Sequence, residues 1–201
     1  MLITAVEPRR KALSALFIDG EFAMNLDTQT LLENRFDVGR EIDDDELKEI
    51  IEKSNERRAK EKALWLISYR DHSKKELKNK LRRSFDEVSA EKAADRMEEL
   101  GLINDEAFAR RYAQSLINQK MLSPRAVSAE LSKKGIDRDI IDSILDETDV
   151  DCRANIRAVI EKKYKNISDE KNKRRAAAAL QRMGYGWDDI RAVFEEYKED
   201  Y

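Results

Sequence analysis

Ser123-Pro124-Arg125-Ala126-Val127-Ser128-Ala129-Glu130-Leu131-Ser132-Lys133-Lys134-Gly135 spells a short helix with both ends marked. A serine at the N-cap accepts a bond from a first-turn amide. Proline follows at the first helical position, where no amide partner is missed. Glycine closes the helix, where a left-handed backbone is favoured. Val127 and Leu131, one turn apart, share the face that such a helix buries. The frame then recurs along the chain. Ser73, Leu77, Leu81 and Phe85 stand 50 residues before Ser123, Val127, Leu131 and Gly135, and Asn172, Ala176, Leu180 and Gly184 stand 49 after them. Self-similarity at this period marks a repeat architecture, in which each unit buries its apolar face partly against its neighbours.

Working outward, each unit reads as three helices. In the first they start near Arg57, Ser73 and Ser89. Ser73 and Glu76 form a capping box. Ser89 reads as the cap of the third helix, with Ala93, Ala94, Met97 and Leu100 as its stripe and Gly101 as its end. The second unit opens at Asn104 with Phe108, Tyr112 and Leu116 and closes on Ile140, Ile141, Ile144 and Leu145. The third runs through Ile156, Val159, Ile160 and Tyr164, then Ala176 to Met183, then Ile190, Val193, Phe194 and Tyr197. Residues 53–103, 104–148 and 149–201 are therefore three three-helix repeats. Residues 1–52 differ. Leu13–Ile18 and Glu21–Leu26 flank Asp19-Gly20, which suits a two-residue hairpin turn. Ile3 to Val6 reads as a further strand, Thr28 to Arg35 as a short helix, and Asp43 as the start of another, its acids favoured by the helix dipole. Glu52 to Lys62 is polar on every face, which reads as a solvated bridge or a break, and the boundary at 52/53 is placed there. The expected fold class is mainly α: three tandem three-helix repeats in an elongated curved array, with a small N-terminal β-hairpin segment.

Composition agrees. Of 201 residues, 40% are charged, and only six are glycine and two proline, a bias towards helix. No apolar run approaches the roughly 20 residues that span a bilayer. The start of the chain lacks the order of a signal peptide. Cys152 is the single cysteine, which excludes an internal disulfide and suits a reducing, cytoplasmic setting.

The formal net charge of −3 conceals segregation. Residues 53–84 are net +8, 85–111 net −4, 112–135 net +3, 136–151 net −6, 152–182 net +7 and 183–201 net −4, against −7 for residues 1–52. In every unit the first two helices are basic and the third acidic. Two basic sets are candidates for contact with DNA phosphates or an acidic protein. Lys74, Lys78 and Arg82 follow i, i+4, i+8 on one face, away from Leu77 and Leu81. Lys162, Lys163, Lys165, Lys171, Lys173, Arg174 and Arg175 form the densest basic stretch. Each set reads equally as a solvated Lys/Arg face. Separated positive and negative stripes suit a partner that itself mixes protein and DNA.

Tyr185, Trp187 and Tyr197 are candidates for base stacking, although at helical spacing they read first as core, as does Trp65. His72, beside the Ser73 cap, reads as a turn residue rather than a catalytic base. Cys152 has no cysteine or histidine near it in sequence, and the acid clusters at Asp43–Asp45 and Asp188-Asp189 sit at helix starts, so no metal or other cofactor is expected. No phosphate-binding loop, zinc-protease helix or nucleophile elbow appears, and the expectation is a binding protein, not an enzyme.

Three phrases carry a family resemblance: Ser73-x-x-Glu76-Leu77-x-x-x-Leu81; Leu100-Gly101-Leu102-Ile103-Asn104-Asp105-x-x-Phe108-Ala109; and Val127-x-x-Glu130-Leu131-x-x-Lys134-Gly135-Ile136. Together they resemble the RecX family of RecA modulators, best over residues 57 to 148. At Leu122-Ser123-Pro124-Arg125 the chain departs from the glycine-containing basic turn expected there. The resemblance implies three tandem three-helix repeats, no catalysis, and binding along the groove of a RecA–single-stranded DNA filament, usually damping its activity; the chain itself is expected to be a monomer. Two other readings stand beside it. One is a helix-turn-helix DNA reader acting without RecA, on duplex or single strands; the other is a structural scaffold.

Overall fold

The computed structural model describes residues 1–164, 167 and 169–199, in two compact units, Met1–Asn104 and Asp105–Tyr201. The first unit opens with an antiparallel sheet of β1 (Ile3–Pro8), β2 (Leu13–Ile18) and β3 (Glu21–Asp27), in the order β1-β2-β3. The Asp19-Gly20 turn has φ of 51° and 86° at its two residues, the two positive values that a type I′ hairpin requires. The expected hairpin, third strand and short helix, α1 (Thr28–Glu33), are all present. Ile3, Leu16, Leu26, Leu31, Phe36 and Ile42 form a core under the sheet.

That core is closed by Ile50 of α2 (Asp44–Tyr69), which begins at Asp43 with a reciprocal capping box to Glu46. Of the two readings of the polar stretch, a bridge or a break, the chain does not break: α2 runs unbroken through it and across 52/53, with no fresh helix start near Arg57. The reason is a change of buried face. Ile50 and Ser54 face the sheet, whereas Ala59, Ala63 and Leu66 face the first repeat. At about 100° per residue, Ser54 and Ala59 point about 140° apart. Two half-length stripes on nearly opposite sides cancel into a segment that reads as polar all round. Ser54 is fully buried, and its hydroxyl accepts from the Asp27 amide at 2.8 Å. Asp27 in turn caps α1 through the Thr30 amide and lies 3.3 Å from the Arg57 guanidinium. A polar node thus ties β3, α1 and α2 together.

Repeat one continues with α3 (Lys74–Leu81) and α4 (Glu87–Glu99). The cap of α4 is Asp86 rather than Ser89, which is buried at N3 and bonds back to Asp86 through both its amide and its hydroxyl. Leu100, expected in the buried stripe, lies beyond α4 and is half exposed. Trp65, also expected in the core, is 58% exposed, because the face of α2 towards the repeat is filled by Ala59, Ala63 and Leu66. His72 is buried, and burial, with Arg70 nearby, pushes its pKa below the usual range.

The second unit holds α5 (Asp105–Asn118), α6 (Pro124–Lys133) and α7 (Arg138–Asp146), then α8 (Cys152–Lys163), α9 (Glu170–Arg182) and α10 (Trp187–Glu199). Ser73 and Ser123 cap α3 and α6 as expected, but α9 starts a turn earlier than Asn172, capped by Asp169. Leu81, Leu131 and Leu180 are all fully buried, as are Leu77, Val127 and Ala176 one turn earlier. Each triplet sits in its own repeat's core, so the register read from the sequence holds. Gly101, Gly135 and Gly184 all have positive φ at helix ends. Repeats two and three are pinned through their loops: the Ser123 amide donates to the Met183 carbonyl at 3.0 Å, and the Tyr185 hydroxyl donates to the Met121 carbonyl at 2.7 Å.

Candidate partner-binding surface

The charge rhythm of the sequence folds differently in repeats one and three. In repeat one, α3 lays its cations against the acids of α4. Lys74 Nζ lies 2.7 Å from Asp95 and 2.6 Å from Glu98. Lys78 Nζ lies 2.7 Å from Glu91 and 3.1 Å from Glu87, and Arg82 also pairs with Glu87. Hydrogen bonds to these carboxylates hold both ammonium groups above the usual lysine range. Lys74, Lys78 and Arg82 do share a face, as the spacing predicts, but acids of the same repeat already occupy it. To meet an outside phosphate they must exchange partners.

Repeat three distributes its charge the other way. The acids of α10 pair with the first helix: Arg157 with Glu196 at 2.7 Å, and Arg153 with Asp189 at 3.6 Å. This leaves the outer face of α9 cationic. Lys171, Arg174 and Arg175 have no carboxylate partner among the described residues, while Lys173 reaches Glu170 only at 3.9 Å. Ala176 and Leu180 hold the opposite face in the core, which fixes the basic face outward. Lys162 and Lys163 end α8, where cations suit the helix dipole, and both are exposed. Lys165 lies outside the described residues.

Two further cations join this surface that the charge runs did not single out. Arg182, on the last turn of α9, and Arg125, on the first turn of α6, line one cleft of about 370 Å³ with Lys133, Gln181 and Gly184. The repeat register was the available signal: Gly184 allows a close approach to the Ser123 turn, so the end of α9 abuts the start of α6. A second cleft of about 370 Å³ lies between α9 and α10, with Trp187 and Phe194 among its walls. Of the three aromatics considered for stacking, Tyr185 is buried, Tyr197 half-buried, and Trp187 53% exposed. Cys152 is half-buried, and burial pushes its thiol above the usual range. Among the described residues no helix is long and apolar enough to cross a membrane.

A chain of tandem three-helix units, each with its own small core and with charge sorted by helix, belongs to the class of helical repeat proteins, whose stacked units present extended surfaces. Family models of RecX match it in all three units: the first three-helix domain at residues 59–97, the second at 104–145 and the third at 149–194. The chain belongs to the RecX family of regulatory proteins. It is 27% identical over 208 residues to the regulatory protein RecX of Clostridioides difficile, covering 98% of both chains. It is 31% identical over 170 residues to that of Caldanaerobacter subterraneus, covering 81% of this chain and 84% of the relative. A crystal structure of regulatory protein RecX shares the fold, with a TM-score of 0.64 at 21% identity, covering 96% of this chain and 98% of that one. The structure of RecX from Lactobacillus salivarius gives a TM-score of 0.57 at 26% identity over 71% of this chain and 96% of that one.

Proposed function

We propose that this protein binds along the groove of the RecA–single-stranded DNA filament and damps its recombinase and ATPase activity, acting as a cytoplasmic monomer without a cofactor. Family membership supports the regulatory role. The observation that carries the site is the outer face of α9, with Lys171, Arg174 and Arg175 free of carboxylate partners among the described residues. Bridging neighbouring RecA subunits blocks the second DNA strand and the ATPase cycle together. A surface that offers cations on one helix and carboxylates on others suits a partner made of both DNA and protein. Lys74, Lys78 and Arg82 join as a secondary contact, released from the acids of α4 only when a phosphate replaces them.

The alternative, a helix-turn-helix reader acting without RecA, needs the second helix of a unit to offer its cations to a DNA groove. In repeat one those cations are ion-paired to α4, so α9, the second helix of repeat three, is the helix that such a reader would use. The deciding experiment adds the protein to RecA already assembled on single-stranded DNA and follows ATP hydrolysis. Hydrolysis falls with added protein if the reading holds. A DNA-only binder leaves preformed filaments unaffected, and that result overturns the reading.

A further inference from the structure

We infer that the cleft between α9 and α10 is a pocket for a nucleobase of single-stranded DNA. The phosphates of that strand run along the outer face of α9 towards Arg182 and Arg125. The inference takes its ligand class from the reading above. It adds a specific site and a mode of contact.

Two aromatic side chains, Trp187 and Phe194, stand among charged ones in the walls of the cleft. Phe194 is buried and forms the floor, and Ala177 is small enough to leave the cleft open. Trp187 lies at the opening with more than half of its surface in solvent. An indole left exposed beside a preformed slot offers a π-face to a planar ring, and every base has one. Lys173 Nζ sits 5.8 Å from the centre of the Phe194 ring, so the slot already holds a cation against an aromatic face.

The shape of the slot favours a base, and its charges leave an acidic peptide as the competitor that the test below must exclude. Glu170 and Glu195 both line it, Glu195 being paired with Arg191 at 3.0 Å. Lys173, Arg174 and Arg191 line it as well, and Lys173 lies 3.9 Å from Glu170, so both acids have cations beside them and a flat ring can enter without adding charge. A base brings no charge, and the amino groups of cytosine, adenine or guanine are donors that those carboxylates can accept. Cations without a carboxylate partner among the described residues lead away from it: Arg174 in its wall, then Arg182 eight residues further along α9, about 12 Å at 1.5 Å per residue. Arg182 shares its cleft with Arg125 and Lys133. Neutral ring in the slot and charged backbone on the arginines is the division of labour of single-strand binders.

The chain has two tryptophans, Trp65 and Trp187, so a Trp65→Phe variant carries Trp187 as its only indole reporter. Titrate it with a short mixed-sequence single-stranded oligodeoxynucleotide, with an abasic oligomer of the same length, and with polyglutamate. The expected result is saturable quenching by the base-bearing strand, at least about tenfold weaker binding of the abasic one, in line with the loss of one stack, and no quenching by polyglutamate. In the otherwise unaltered chain, Trp187→Ala should weaken binding of the base-bearing strand by a similar factor while Trp187→Phe retains most of it, with helical circular dichroism unchanged in both. Arg174→Glu with Arg182→Glu should weaken both oligomers alike. Equal affinity for the two oligomers, no response to DNA, or quenching by polyglutamate each overturns the base pocket. The RecA reading fails separately: filament ATPase indifferent to the protein, with Trp187 still quenched by DNA, removes RecA and leaves the pocket standing.

Discussion

Gly184 carries two constraints at once. Its φ of +88° ends α9 in the left-handed region, and a Cβ built on it meets Ser123 Oγ at 2.4 Å and the Ala126 Cβ at 2.8 Å. Gly184→Ala therefore strains the backbone and also forces repeats two and three apart at the Ser123–Met183 bond. It should lower Tm well beyond the effect of Gly101→Ala, whose position has a positive φ but open space around it; comparing the two melts isolates the packing part. The neighbouring Tyr185 hydroxyl is buried, its pKa pushed up to about 12 by desolvation. Tyr185→Phe leaves the Met121 carbonyl without this donor and should cost about 1–3 kcal/mol in denaturant unfolding. His72 makes stability depend on pH. Its folded pKa lies below the ordinary value of about 6.5. The unfolded chain thus takes up a proton that the folded one resists, and stability falls as pH drops through and below that value. Between pH 7 and 5 the protein should lose stability that a His72→Gln variant does not lose, as read by urea midpoints.

At the scale of the element, the three second helices were legible because each repeats the same few buried positions, with a glycine stop in the second and third units and Phe85 in its place in the first. Leu131→Ala should cost about 2–5 kcal/mol, the usual range for a buried leucine, and a midpoint shift no larger than that of a surface control would contradict the register. The charge layout was less legible. Residue spacing places Lys74, Lys78 and Arg82 on one face, but which acids a face meets depends on how α3 crosses α4, and spacing within one helix does not contain that. The same gap hid the difference between α3, whose cations are taken by α4, and α9, whose cations are not. A Lys74→Glu/Lys78→Glu protein should therefore melt earlier than the parent, and adding Asp95→Lys and Glu91→Lys should recover part of the loss. If the double reversal melts like the parent, the pairs between α3 and α4 do not contribute. Trp65 was misread for a related reason: aromatics at helical spacing usually face the core, but here small alanines already fill that side of α2.

For the whole molecule, a net charge of −3 predicts little about binding, because association responds to local fields rather than to the sum. If the face of α9 meets phosphates, affinity for the RecA–DNA filament should fall steeply as salt rises, through counterion release, and Arg174→Ala/Arg175→Ala should flatten that dependence by about one to two units of slope. Affinity that is flat from low to high salt in the parent would point to an apolar interface instead. The continuity of α2 has a mechanical consequence as well. A rod whose two halves are gripped from nearly opposite sides works as a drive shaft, setting the angle between the sheet and repeat one by residue count alone. One alanine inserted between Ser54 and Ala59 advances that angle by about 100° and lengthens the rod by about 1.5 Å, so the two grips can no longer both engage. Seven inserted alanines, close to two full turns, return the phase to within about 20°.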